Sequence, residues 1–322
     1  MQRVANAFAT RTQRNQTTGG AAKLAERAPA SEASFIYTVS VFRAMTLRGA
    51  IVDLDGTVYV GEDLLDGTPA GIKALRAAGL DLLFFSNNPV RSGDIYVEHL
   101  TEKGLDIGEG EACSSGDVTV AHLQDNHPDD RILCIGSSGL ADQLRAGGLE
   151  LIEDVPRENP VDGGPGDEFL EAACDVLVAS WTAEFDYDDM YRALTAVDDD
   201  TPFFGTDPDR TYQATGDVLV PGSGAIIGAL AATLDREADA ILGKPSDAAR
   251  ELALDRLGHP PEECLVVGDR LDTDLAMGHH AGMTTVLVLT GVTDREDVEA
   301  SEPQPDYVID DLGDIDMVLD DR

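Results

Sequence analysis

Short apolar runs alternate with longer amphipathic stretches along most of this chain, and that alternation predicts strands feeding helices. The run Ile51-Val52-Asp53-Leu54-Asp55-Gly56-Thr57 reads as an apolar strand that ends abruptly in two carboxylates and a glycine. A strand buried on both faces is a continuous apolar run rather than an alternating one. Residues 68–78 read as a helix, with Pro69 in its first turn and Gly79 just past its end. A second buried strand at 80–85 runs into Ser86-Asn87-Asn88-Pro89. Helices near 95–103 and 115–124 follow, then a strand at 131–135, a helix at 140–146 and a polar Gly/Pro loop at 160–166. Next come a strand at 175–179, a helix at 187–197 and a short strand at 202–205. Pro221-Gly222-Ser223-Gly224 opens an Ala-rich helix to about residue 234, and Gly243-Lys244-Pro245 introduces another over 246–257. A strand at 264–267 ends at Gly268-Asp269, a helix continues to His279, and 285–289 is a further strand. Repeated strand–helix units predict a doubly wound α/β fold with a mostly parallel sheet.

In such a sheet the carboxyl ends of the strands share one edge, where a ligand crevice forms. Four candidate strand ends carry polar groups: Asp53 and Asp55, then Ser86 and Asn87, then Lys244 ahead of a helix, then Asp269 and Asp274. Three carboxylates make a hard-oxygen site suited to Mg²⁺. A hydroxyl, an amide and an ammonium beside it suit the oxygens of a phosphoryl group. An Asp carboxylate is a competent nucleophile for phosphoryl transfer.

These motifs resemble a family. Asp53-Leu54-Asp55-Gly56-Thr57, Ser86-Asn87-Asn88, Gly243-Lys244-Pro245 and Gly268-Asp269-Arg270-Leu271-Asp272-Thr273-Asp274 are similar, in order, to the four motifs of the haloacid dehalogenase (HAD) superfamily. The latter two, and the long segment between the second and third, resemble its subfamily IIA, the NagD and p-nitrophenyl phosphatase-like branch that includes phosphoglycolate and pyridoxal phosphate phosphatases. The resemblance implies Asp53 as nucleophile and Asp55 as general acid, then base. It implies Mg²⁺ held by the Asp53 carboxylate, the Asp55 carbonyl and Asp269, with Asp274 supporting from behind. Ser86, Asn87 and Lys244 would bind the phosphoryl group, and Asn88, Arg91 and Arg270 are candidate substrate contacts.

The 157 residues between Ser86 and Lys244 exceed what one crossover needs and contain strand–helix units of their own. The expected organisation is therefore a HAD core over 45–125 and 238–322 with an inserted α/β cap of the C2 type over 126–237. Thr206-Asp207-Pro208-Asp209 resembles a cap loop that usually has Asn at its second position. Trp181 is read as packing between cap and core rather than lining a mouth. Gly136-Ser137-Ser138-Gly139 lacks the Lys of a phosphate-binding loop and is read as a turn. His279 and His280 are read as charges at a helix end.

Charge narrows the partners. The 322 residues carry 23 basic and 61 acidic side chains, a net of −38, which repels nucleic acid and anionic membranes. Acids scattered over a chain that is 43% hydrophobic point to a halophile's protein, soluble where salt screens self-repulsion. Cys113, Cys134, Cys174 and Cys264 show no metal spacing and fit a reducing cytoplasm. No apolar run approaches a membrane span. Residues 1–44 differ, with six basic and two acidic residues; they read as a disordered extension or an upstream start ahead of Met45. The expected function is a Mg²⁺-dependent phosphomonoesterase that hydrolyses a small phosphorylated metabolite (a sugar phosphate, phosphoglycolate, a nucleotide or a p-nitrophenyl phosphate-type ester) through an aspartyl-phosphate. The alternatives are a phosphomutase or phosphonatase on the same core, or a non-catalytic phospho-ligand-binding regulator. A homodimer is consistent with the branch.

Overall fold

Strand Gly49–Asp53 lies at the centre of a six-stranded sheet, buried at all five positions. The computed structural model describes residues 46–152, 174–214 and 218–321. The extension expected over 1–44 and the loop expected at 160–166 lie outside the described residues. Across the sheet the strands run Tyr307–Ile309, Thr284–Val288, Cys264–Gly268, Gly49–Asp53, Asp81–Ser86 and Ala112–Ser114. Every neighbouring pair is parallel. The chain moves outward one way from Gly49–Asp53 through Asp81–Ser86, and later returns on its other side at Cys264–Gly268. The central strand is thus the switch point, where the loops at its carboxyl end diverge and leave a crevice.

A second parallel sheet has the order Ala240–Ile241, Phe203–Gly205, Val176–Ala179, Arg131–Ile135 and Glu150–Leu151. Its last strand in the chain, Ala240–Ile241, falls just beyond the cap boundary expected at 237. Two antiparallel hairpins complete the strands, Tyr59–Val60 with Asp63–Leu64 and Thr211–Ala214 with Val218–Pro221. Among the described residues no helix is long and apolar enough to cross a membrane.

Side-chain alternation sorts the central strands onto two apolar layers. Ala50, Val52, Leu82 and Phe84 pack with Ile72, Leu75, Tyr96 and Leu100 from helices Thr68–Ala77 and Gly93–Glu102. Ile51, Leu83 and Phe85 point the other way, onto Val118 and Leu123 of helix Ser115–Asn126 and Ala249 and Ala253 of helix Asp247–Leu257. That second cluster continues without a break into Ile132, Val176 and Val178 of the second sheet. The two sheets therefore share one apolar layer, and truncating a buried Leu within it costs about 2–5 kcal/mol. Helices Ser115–Asn126 and Asp247–Leu257 are each capped by a serine. Ser114 forms a reciprocal capping box with Asp117, and Ser246 Oγ accepts the Ala249 N–H at 3.0 Å.

Candidate active site

Strand register assembles the site. Asp53 stands beside Phe85, and Val52 beside Val267, so the ends of three adjacent strands place Asp53, Ser86 and Asp269 along one edge. Leu54 turns into the core while the flanking carboxylates turn out, as alternation requires. Gly56 then takes φ +86°, a conformation closed to most side chains, and any Cβ there would strike the Asp269 carboxylate.

Lys244 is 1% exposed and arrives from the loop after Ala240–Ile241. Its ammonium donates to Asp53 Oδ1, Asp274 Oδ1 and the Phe85 carbonyl, each at 2.6 Å. All three of its protons are thereby used. Asn87 fixes the approach, because its side chain donates to the Lys244 carbonyl at 3.1 Å and accepts the Lys244 N–H at 2.8 Å. Burial pulls the ammonium toward neutrality, but Asp274 and Asp53 more than offset it and the net shift is upward.

The carboxylates outnumber that one cation. Burial, then the Asp274 charge, raises Asp53 well above the ordinary range despite Lys244, and raises Asp269 to about 7. Asp53, Asp269 and Asp274 bring ligand oxygens within 4.8 Å of one another. Asp269 Oδ2 accepts the Val292 N–H at 2.7 Å, whereas its Oδ1 is buried with no hydrogen-bond partner. An orphaned carboxylate oxygen within a cluster of excess buried negative charge fits a hard divalent cation. Glycines at 56 and 291 leave the space, since a Cβ at either would run into Asp269.

Asp55 opens toward the crevice, with Oδ2 accepting from Ser86 Oγ at 3.2 Å. The surrounding walls raise its carboxyl, partly countered by the Ser86 hydrogen bond. Ser86 is itself held behind Asp55, since its Oγ also accepts the Asn88 N–H at 3.0 Å and lies 3.3 Å from the Tyr96 hydroxyl.

These groups line a cavity of about 360 Å³. Asp53, Asp55, Asn87, Asn88, Arg91, Lys244, Asp269, Arg270 and Asp274 all reach its wall, whereas Ser86 sits one layer back. Arg270 is engaged with Asp209 Oδ1 at 3.5 Å and Asp272 at 3.4 Å, and Arg91 lies 3.9 Å from Glu62. Trp181 is a correction. Read as packing between layers, it instead lines the cavity, its ring edge-on to Tyr212 at 6.2 Å.

Two groups outside the expected set also hold the site: Thr57, whose hydroxyl donates to Asp53 Oδ2 at 3.3 Å, and Val292, whose N–H holds Asp269. Thr57 carried a signal in its place four residues after Asp53 on the same turn. A main-chain donor such as Val292 leaves no trace in residue type.

A parallel α/β core with a clustered-Asp crevice and a second α/β layer over it defines a class, and the chain belongs to it: the haloacid dehalogenase-like hydrolases, in their NagD-like branch. The haloacid dehalogenase-like hydrolase family model matches residues 50–150, and a HAD-hydrolase-like model matches 241–315. Sugar-phosphatase AraL of Bacillus subtilis is 30% identical over 267 residues, covering 83% of this chain and 91% of that protein. Glycerol-3-phosphate phosphatase of Gallus gallus is 30% identical over 287 residues, covering 84% and 91%. The structure of a p-nitrophenyl phosphatase from Archaeoglobus fulgidus superposes with a TM-score of 0.74 at 34% identity, covering 85% of this chain and 99% of that one.

Proposed function

We propose that this phosphatase is a Mg²⁺-dependent phosphomonoesterase that hydrolyses a small phosphorylated metabolite through an aspartyl-phosphate on Asp53. The observation that carries the reading is the pairing of Asp53 with Lys244 at 2.6 Å, on a cavity wall that also presents Asp55. Lys244 orients the Asp53 carboxylate and offsets its charge as a phosphate dianion approaches. An Asp53 oxygen attacks phosphorus, the bond from phosphorus to the leaving oxygen breaks, and Asp55 gives that oxygen its proton. A carboxyl raised above its ordinary value carries a proton for this step more often than an unperturbed one would. Asp55, now ionised, takes a proton from water as the water oxygen attacks phosphorus. The Asp53–phosphorus bond breaks, leaving inorganic phosphate and the original carboxylate.

Asp53, Asp269 and the Asp55 main-chain carbonyl would hold the metal, with Asp274 behind them. When bound, it would supply the positive charge that lets two anions approach. Ser86 acts here through Asp55, which it hydrogen-bonds, and Asn87 through Lys244.

The names of the relatives suggest sugar phosphates, glycerol 3-phosphate and p-nitrophenyl phosphate as candidate esters. The net charge of −38 and the four free thiols fit a cytoplasm of high salt and argue against nucleic acid as substrate. A homodimer remains part of the proposal on the branch resemblance.

The test is phosphate release from a panel of esters in molar KCl with Mg²⁺, repeated in EDTA, for wild type beside Asp53→Asn. Release that needs the metal and is lost in the variant is expected. A folded wild type silent toward every ester, or an Asp53→Asn variant as active as wild type, would sink the reading.

A further inference from the structure

The second layer contributes a distinct wall to the cavity: Trp181, Asp207, Asp209, Tyr212 and Ser223. Its polar members are organised around a buried carboxyl. Asp207 is 3% exposed, its Oδ2 lies 3.0 Å from the Thr206 hydroxyl, and its Oδ1 accepts the Asp209 N–H at 3.3 Å. The Thr206 hydroxyl lies 2.9 Å from Ser180 Oγ, and Ser223 Oγ accepts the Trp181 N–H at 3.1 Å. The acid thus belongs to a network that also fixes the aromatic wall.

Every cation on the cavity wall, among the described residues, already faces an acid. Lys244 holds Asp53 and Asp274, Arg270 lies against Asp209 and Asp272, and Arg91 lies nearest Glu62. Of these only Arg91 is loosely engaged, at 3.9 Å from a Glu62 that Lys103 also holds at 3.2 Å, so a second anionic group would find at most that one cation. A carboxylate on the leaving group would meet Asp209 and Glu62, joined by Asp207 once that carboxyl ionises, and like charges brought together are unfavourable. Hydroxyls would find acceptors in the same acids, and ring or methylene surface would find Trp181 and Tyr212.

Resting on the phosphatase reading above, we propose that this wall selects esters whose leaving alcohol is uncharged, a polyol or an aromatic, and that Asp207 adds to the exclusion of carboxylated ones. The exclusion should tighten with pH. Burial, then the neighbouring Asp209 carboxylate, pushes the Asp207 carboxyl up to about 8, so it is mostly neutral at pH 7 and charged at pH 9. The groups facing it are the Thr206 and Ser223 hydroxyls and Asp209. Asp209 is raised by burial and held down by Arg270 and Lys244.

The test compares glycerol phosphate with phosphoglycolate, which are close in size and share the phosphate, the first carrying two hydroxyls on three carbons where the second carries a carboxylate on two. At pH 7 wild type should favour glycerol phosphate by roughly tenfold or more in kcat/KM. That ratio should rise severalfold between pH 7 and 9, and in Asp207→Asn it should stay flat. Phosphoglycolate turned over as well as glycerol phosphate overturns the inference while leaving the phosphatase reading in place. A rise that survives in Asp207→Asn overturns the assignment to Asp207. Silence toward both esters and toward p-nitrophenyl phosphate removes the phosphatase reading itself, and this inference with it.

Discussion

Replacing Lys244 by Met should unseat both the stability and the chemistry of the site. Met matches the volume of a side chain that is 1% exposed, so packing is kept and only the charge is removed. At an effective dielectric near 20, an ammonium and a carboxylate 2.6 Å apart attract by about 6 kcal/mol. Lys244 makes two such contacts, to Asp53 and to Asp274, and desolvation of all three groups cancels much of that gain. What survives is the cost of leaving two buried carboxylates beside Asp269 with no cation, about 3–5 kcal/mol. For a fold of this size that is a fall in Tm of roughly 6–20 °C, read by thermal melts of the EDTA-treated protein in molar KCl. Added Mg²⁺ should restore a larger part of the stability in the variant than it adds to wild type, because the metal would then be the only cation in the cluster. Hydrolysis of p-nitrophenyl phosphate should fall by about 10² or more, since Asp53 loses the donor that orients it. A variant melting within about 2 °C of wild type, with kcat/KM unchanged, would refute the argument that one ammonium holds this cluster together.

Gly291→Ala places a methyl group against the Asp269 carboxylate and should weaken Mg²⁺ binding, by about tenfold or more, in calorimetric titration; unchanged affinity would move the metal elsewhere. Asp207 bears on stability as well as selection. Its folded pKa of about 8 lies above the ordinary carboxyl value, so the fold keeps a proton that the unfolded chain gives up, and stability is lost as pH rises from about 4 to 8. Denaturant melts at pH 5 and pH 7 should show wild type losing up to about 2.7 kcal/mol more than Asp207→Asn over that interval; equal losses would contradict the raised pKa. The net charge of −38 predicts a Tm that climbs steadily as KCl goes from 0.1 M to molar concentrations; a flat Tm would count against adaptation to high salt.

The parts of this protein legible in its sequence are those where one local rule dominates. The central strand Gly49–Asp53 is apolar because helices cover both its faces, and its two carboxylates stand out against that background. Helix Thr68–Ala77 announces itself by Pro at its start and Gly beyond its end. Strand Ala112–Ser114 and the hairpin Tyr59–Val60 with Asp63–Leu64 are too short to impose a period, and pairing with neighbours defines them instead. Asp53, Lys244 and Asp269 could be picked out because only a few chemistries require those residue types at strand ends. Asp207 and Trp181 could not be placed in the same way. Asp207 stands in a loop marked only by resemblance, at a position where that loop usually has Asn, and a lone Trp reads as core until the second layer folds over the crevice. Their positions depend on the apolar layer shared by the two sheets, in which Ile51, Leu83 and Phe85 of the first meet Ile132, Val176 and Val178 of the second. The catalytic half of the site is thus written in short motifs along single strands. The selecting half follows from how two sheets dock, and is correspondingly harder to read from residue order.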